Sequence, residues 1–206
     1  MAADLLGVRA SCVADDVPPS VAPTYSYLLG LYLGDGVVSL AGRTDKLRVF
    51  LDQRYPQIIA SCAAAMSAVI PANMVGLAPQ IGCTEVMSYS RHWRCLFPQH
   101  GPGRKHLRPI VLADWQQEIV DEHPRALLRG LIHSDGCRFI NGVHKNGIEY
   151  RYPTYEFKNN SQDIHGIFQQ ACDLLAVRWR HPNEKSTRVA RRESVAILDT
   201  FIGPKT

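Results

Sequence analysis

The stretch Leu28-Leu29-Gly30-Leu31-Tyr32-Leu33-Gly34-Asp35-Gly36 returns as Leu128-Arg129-Gly130-Leu131-Ile132-His133-Ser134-Asp135-Gly136, without a gap and displaced by 100 residues at every position. Five of the nine sites are identical. A single duplication at this spacing predicts two similar half-domains rather than a stacked solenoid. Each copy reads as the last turns of an apolar helix. Thr24, after Pro23, is the expected N-cap of the first, and Pro124 suits the first turn of the second. Each copy stops at a glycine, Gly36 or Gly136, the usual residue of a left-handed C-terminal turn. Gly30 and Gly34 share one helix face, as do Gly130 and Ser134. A glycine inside a helix costs about 1 kcal/mol relative to alanine. Small residues four apart let two helix backbones approach closely, so the two small faces are expected to pack on each other.

The acids sharpen the argument. Asp35 and Asp135 fall at helix C-termini, where the macrodipole already places negative charge. If the helices pack side by side, the two carboxylates meet, which is costly unless a cation lies between them. Paired carboxylates with the helix-end carbonyls of Gly34 and Ser134 are hard oxygen donors, suited to Mg²⁺ or Mn²⁺.

Both stretches resemble the signature of the LAGLIDADG homing endonuclease family, in its two-motif, single-chain, free-standing form. The sixth motif position, acidic in the family's namesake pattern, is Leu33 and His133 here. The order Leu96-Phe97, Gly103 with Lys105, Pro109, then Leu127 to Leu131 also resembles the connector before the second motif of intein-type relatives. The resemblance implies an α+β fold, a pseudo-two-fold tandem repeat of αββαββ(α) half-domains. Curved antiparallel sheets would form a saddle on double-stranded DNA, with the two motif helices packed at its centre. It implies divalent metals bound by Asp35 and Asp135, and one half-domain serving each DNA strand.

Hydrophobic patterning gives the same order of elements from the residues alone. After the first motif, Val37 to Leu40 reads as a strand, 41–45 as a turn, and 47–52 as a strand with Leu47, Val49 and Leu51 inward and Arg48, Phe50 and Asp52 outward. Pro56 opens a helix ending before Pro71, and a hairpin follows, from Met74 to Leu77 and Thr84 to Ser90. In the second half the expected elements are a strand over Cys137 to Ile140, a turn over 141–147 and a strand over Tyr150 to Asn159. A helix capped by Ser161 follows, then a hairpin from Trp179 to Arg180 and Thr187 to Arg192, and a helix from Ser194 to Phe201. The predicted organisation is a leader over 1–22 with a short helix near Leu5-Leu6-Gly7, a first half-domain over 23–94, a connector over 95–122 and a second half-domain over 123–206.

A hydrophobic content of 46% is ample for a packed core, and no apolar run reaches the roughly 20 residues needed to span a membrane. The net charge of +4 permits nucleic-acid binding without requiring it. Asp4 and the lack of a basic n-region argue against a secretory signal. Six scattered cysteines read as reduced thiols, so a cytoplasmic protein is expected. The ends, without a terminal nucleophile or a His-Asn pair, argue against residence in an intein. The spacing of Cys83, His92, Cys95, His100 and His106 fits no standard zinc arrangement.

Metal-dependent strand scission is the chemistry the acid pair suits. Lys158, on the outward face beside Tyr155 and Phe157, is the expected basic partner. Its counterpart in the first half is Asp52, or Phe50 if the register slips by two. Arg43, Lys46, Arg48, Lys145, Arg151, Lys185, Arg188 and Arg192 are the expected DNA contacts, through phosphates or guanine edges. With both half-sites in one chain, a monomer is expected. Two function classes fit: a sequence-specific, metal-dependent DNA endonuclease, or a non-cleaving DNA-binding transcriptional regulator on the same fold. The retained acid pair favours the first.

Overall fold

The computed structural model describes residues 17–145 and 147–205; the expected leader helix near Leu5 lies outside them. The first half runs α1 (Ala22–Asp35), β1 (Gly36–Ala41), β2 (Thr44–Asp52), α2 (Pro56–Val69), β3 (Val75–Gln80) and β4 (Cys83–Ser90). The second repeats the order as α5 (Pro124–Asp135), β5 (Gly136–Lys145), β6 (Ile148–Lys158), α6 (Gln162–Leu174), β7 (Arg180–Asn183) and β8 (Ser186–Val189), and α7 (Arg192–Asp199) closes it. Between the halves lie α3 (Trp93–Leu96), a 3-10 turn (Lys105–Leu107) and α4 (Asp114–Glu122). Each half holds one antiparallel sheet, in the order β1-β2-β4-β3 or β5-β6-β8-β7.

Alternation along β2 comes out as the pattern requires: Leu47, Val49 and Leu51 are buried, and the residues between them are partly exposed. In β6 the inward residues are Tyr155 and Phe157, the latter stacked on Phe168 of α6 at 4.7 Å between ring centres. Ser161 caps α6, its hydroxyl accepting from the Ile164 amide. Four cysteines, Cys62, Cys83, Cys137 and Cys172, are free thiols.

Several local expectations need correction. Thr24 lies inside α1, which starts at Ala22 with Val21 as an N-cap that offers no side-chain bond. The turn expected over 141–147 is mostly strand: Asn141 pairs with Tyr152 and Lys145 with Ile148, leaving Gly147, at φ +78°, in the turn. Cross-strand hydrogen bonding thus overrides the turn propensity of Asn and Gly there. The last hairpin is shifted, and Arg192 begins α7 instead of ending a strand. Gly36 and Gly136 are not left-handed but extended, at φ −92° and −108°. They are glycines for lack of space. A Cβ on Gly36 would sit 2.5 Å from the Tyr32 Cα, and one on Gly136 2.7 Å from the Ile132 Cα.

The halves meet along α1 and α5. A Cβ added to Gly30 would lie 2.5 Å from the Leu127 carbonyl oxygen and 2.9 Å from the Gly130 Cα. One added to Gly130 would lie 2.9 Å from the Gly30 Cα and 3.0 Å from the Leu31 nitrogen. One added to Gly34 would lie 2.5 Å from the Ser134 Cβ. The helices therefore touch backbone to backbone at Gly30 and Gly130 and, one turn on, backbone to side chain at Gly34 and Ser134, and this close approach explains the glycines. Leu28, Leu31, Leu127, Leu128 and Leu131 are wholly buried around the crossing. The connector is fastened to α1 through a buried polar network: Gln116 of α4 donates to the Tyr25 hydroxyl at 2.6 Å and to the Leu96 carbonyl at 3.2 Å.

Candidate metal centre and nucleic-acid interface

The crossing brings the ends of α1 and α5 together, and with them Asp35 and Asp135. Both are largely buried. Burial, and secondarily the facing Asp135 carboxylate, pushes Asp35 up to about 7. Asp135 is also raised by burial, but a hydrogen bond from the Asn159 side chain, at 2.7 Å to its Oδ2, opposes the rise. Asn159 is itself fixed. Its Oδ1 accepts from the Ser161 amide at 2.8 Å, and its carbonyl accepts from Nε2 of buried His165 at 3.0 Å. The first half has no such device. Gly36 pairs with Val49 and Gly136 with Phe157, so Leu51 stands where Asn159 stands in the second half. Asp35 instead borders a 230 Å³ cavity shared with Leu51, Tyr55, Ser134 and Lys205.

Two lysines that sequence reasoning left out of the site complete it. Lys105, from the connector, donates to the carbonyls of Tyr32, Leu33 (2.8 Å) and Gly34 (2.9 Å) at the end of α1. Lys205 donates to the carbonyls of Ser134 (3.3 Å) and Gly136 at the end of α5. Burial pulls Lys105 down to about 8 and lowers Lys205, and both acids work against the shift. The signal was present in the sequence. Gly103-Arg104-Lys105 and Gly203-Pro204-Lys205 are 100 residues apart, the offset of the motifs themselves. Gly103 and Gly203 both take positive φ, +78° and +72°. The second strap is held by His133 of the motif, whose Nε2 donates to the Ile202 carbonyl at 2.9 Å while Nδ1 accepts from the Tyr27 hydroxyl at 3.0 Å. Burial pulls His133 down to about 4, so it is neutral.

The expected basic partner, Lys158, is placed elsewhere. It is largely exposed and pairs with Glu156 at 3.3 Å, and the register makes Phe50, not Asp52, its counterpart. Among the described residues no cluster of three or more His, Cys, Asp or Glu could hold a metal. Two carboxylates with neighbouring carbonyls still fit a divalent cation of the Mg²⁺ type, which takes one or two protein carboxylates and completes its shell from water and substrate phosphate.

The expected DNA contacts divide by strand parity. Lys46 and Arg48 share the outward face of β2, and Arg188 lies across from Glu156 on β8. Lys46 pairs with buried Glu85 at 2.7 Å and Arg188 with buried Glu156 at 2.6 Å. Arg48 is freer. Its Nη2 makes one long bond to Ser39, at 3.4 Å, and its Nε has no partner among the described residues. Arg43 and Lys185 are exposed in hairpin turns, and Lys145 ends β5. Arg151 has the parity of Tyr155 and Phe157, so it faces away from the surface that carries Lys158. Arg192, in α7, is on no sheet face.

The fold is the LAGLIDADG architecture, with its helix-and-sheet unit present twice in one chain. Among solved structures, a mesophilic variant of the homing endonuclease I-DmoI is similar at a TM-score of 0.61 and 14% identity, over 89% of this chain and 97% of that one. The LAGLIDADG meganuclease I-AabMI, solved bound to uncleaved DNA, gives 0.53 at 10% identity, over 86% and 82%. The N-terminal LAGLIDADG domain of DUF199/WhiA gives 0.52 at 10% identity, over 94% and 87%. No family model and no curated protein matches the sequence. No helix among the described residues is long and apolar enough to cross a membrane.

Proposed function

We propose that this chain is a monomeric, divalent-metal-dependent endonuclease that binds double-stranded DNA across the outward faces of its two sheets. One observation carries the reading. Two largely buried carboxylates meet at the ends of touching helices beside main-chain carbonyls, a set of hard oxygen donors suited to a divalent cation. I-DmoI, of the same fold, has been solved in complex with DNA and Mn, and with DNA and Ca.

Asp35 and Asp135 would hold the ions, and a bound divalent ion would supply an activated water and charge neutralisation at the phosphate. This chain's own residues do the rest. Asn159 fixes the Asp135 carboxylate through its 2.7 Å bond. Lys105 and Lys205 set positive charge beside the scissile phosphates, the role first expected of Lys158. Arg48 on one sheet and Arg188 on the other hold the duplex in register through phosphates or base edges.

Duplex affinity should fall steeply with salt, because each phosphate contact releases condensed counterions. Arg48→Ala and Arg188→Ala should weaken binding and flatten that dependence by about one counterion each, as read by fluorescence anisotropy across a salt series. Affinity indifferent to salt would remove the sheet faces from consideration. Asn159→Leu copies the first half's Leu51. It should slow one strand's scission about tenfold, the loss of one hydrogen bond to a charged group, and spare the other in a strand-resolved nicking assay. Cleavage of a supercoiled plasmid carrying a bound site, with Mg²⁺ against EDTA, is the primary test. A tightly bound, Mg²⁺-loaded site with both strands whole would establish the regulator instead.

A further inference from the structure

We propose that Lys105 and Lys205 are the resident counter-cations of the acid pair, and that a divalent ion entering the centre must displace them. The proposal rests on the reading that Asp35 and Asp135 hold the metal. An ammonium has three donors, and the carbonyls of Tyr32, Leu33 and Gly34 take all three of Lys105's. Two of the acceptors at these helix ends, the carbonyls of Gly34 and Ser134, are the groups a metal beside Asp35 and Asp135 would use.

The electrostatics are crossed. Lys205 binds the end of α5 yet feels Asp35 more strongly than Asp135, and Lys105 binds the end of α1 yet feels Asp135 more strongly than Asp35. Two carboxylates and two ammoniums thus form one half-buried cluster of opposed charges. A divalent ion added to it leaves uncompensated positive charge in a poorly solvated place, unless a lysine withdraws or a phosphate arrives. Metal binding to the free protein is therefore weak, and DNA phosphate, arriving with its own negative charge, makes room for it. A lysine released from the carbonyls gains donors for that phosphate. The device is built in both halves: each lysine follows a glycine of positive φ by two residues and donates to carbonyls at the end of a motif helix, Lys105 to three and Lys205 to two.

Mn²⁺ titration of the full chain without DNA, by calorimetry, tests this. Lys105→Met and Lys205→Met should each bind Mn²⁺ about tenfold tighter than the unmodified chain, since one like charge is gone from the cluster. In EDTA each should melt lower, and Mn²⁺ should restore more of the loss than it adds to the unmodified chain. Lys105→Arg, which keeps the charge, should bind Mn²⁺ as the unmodified chain does. If Lys105→Met does not fold, Lys205→Met reads the same quantity. Unchanged or weaker Mn²⁺ binding in the Met variants, or none in any variant, overturns the proposal. Asp35→Asn separates it from the functional reading. Mn²⁺ binding that survives that change places the ion away from the acids and overturns the reading itself.

Discussion

Asp35→Asn and Asp135→Asn are each expected to abolish metal-dependent scission of a bound duplex and to leave its binding unweakened. Each change removes one of the two carboxylates that the described residues place at the helix crossing, and none of those residues forms a cluster that could replace it. Losing a negative charge beside phosphates cannot weaken the encounter, so affinity should hold or rise. Gel shift and plasmid cleavage on the same preparations check both halves of the expectation. pH gives a second view. Asp35 sits near 7, so below that value an entering metal must expel a proton. Cleavage should climb about tenfold per pH unit up to about 7 and flatten above it. Stability runs the other way. An unfolded aspartate titrates near 3.8, so between about 4 and 7 Asp35 holds more proton in the folded chain than in the unfolded one. Asp35's own contribution to the stability of the metal-free fold is therefore lost as pH rises through that window, while the neutral, buried His133 works in the opposite direction. Melting in EDTA isolates the Asp35 contribution: relative to the unmodified chain, Asp35→Asn should be more stable at pH 8 than at pH 5.

Gly130→Leu is expected to cost roughly 3 kcal/mol or more, the upper range for overpacking, because the new side chain meets backbone rather than another side chain. Its Cβ alone would lie 2.9 Å from the Gly30 Cα and 3.0 Å from the Leu31 nitrogen. For a chain of this size that is a fall of roughly 10 °C in melting temperature. Denaturant unfolding would measure it directly, and a stable Gly130→Leu variant would show that the helices can separate without loss.

The duplicated motif made the crossing and the acid pair legible, because glycine inside a helix and aspartate at its negative end are each unfavourable without a partner. Strand alternation made the sheet faces legible wherever a core stood behind them, as along Leu47, Val49 and Leu51. The β5–β6 arm was misjudged because Asn141, Gly142 and Gly147 carry turn propensity that only pairing with the facing strand overrules. Lys158 was chosen by alternation, which gives a face but not a distance to the acids. Lys105 and Lys205 went unassigned because they come from irregular chain. Their shared offset with the motifs was visible, but nothing in local pattern shows that two straps return to two helix ends.

The contact of Gly30 with Gly130 has a consequence for how such a chain can change its target. The approach of the two helices is set there by main chain against main chain and, one turn on, beside the acids, by Gly34 against the small Ser134 side chain. On the proposed function, substitutions on the sheet faces would therefore alter which bases are preferred while the separation between the two points of attack stays constant. In the proposed nuclease the stagger of the cut would be an inherited dimension of the molecule, with the sequence recognised around it free to drift.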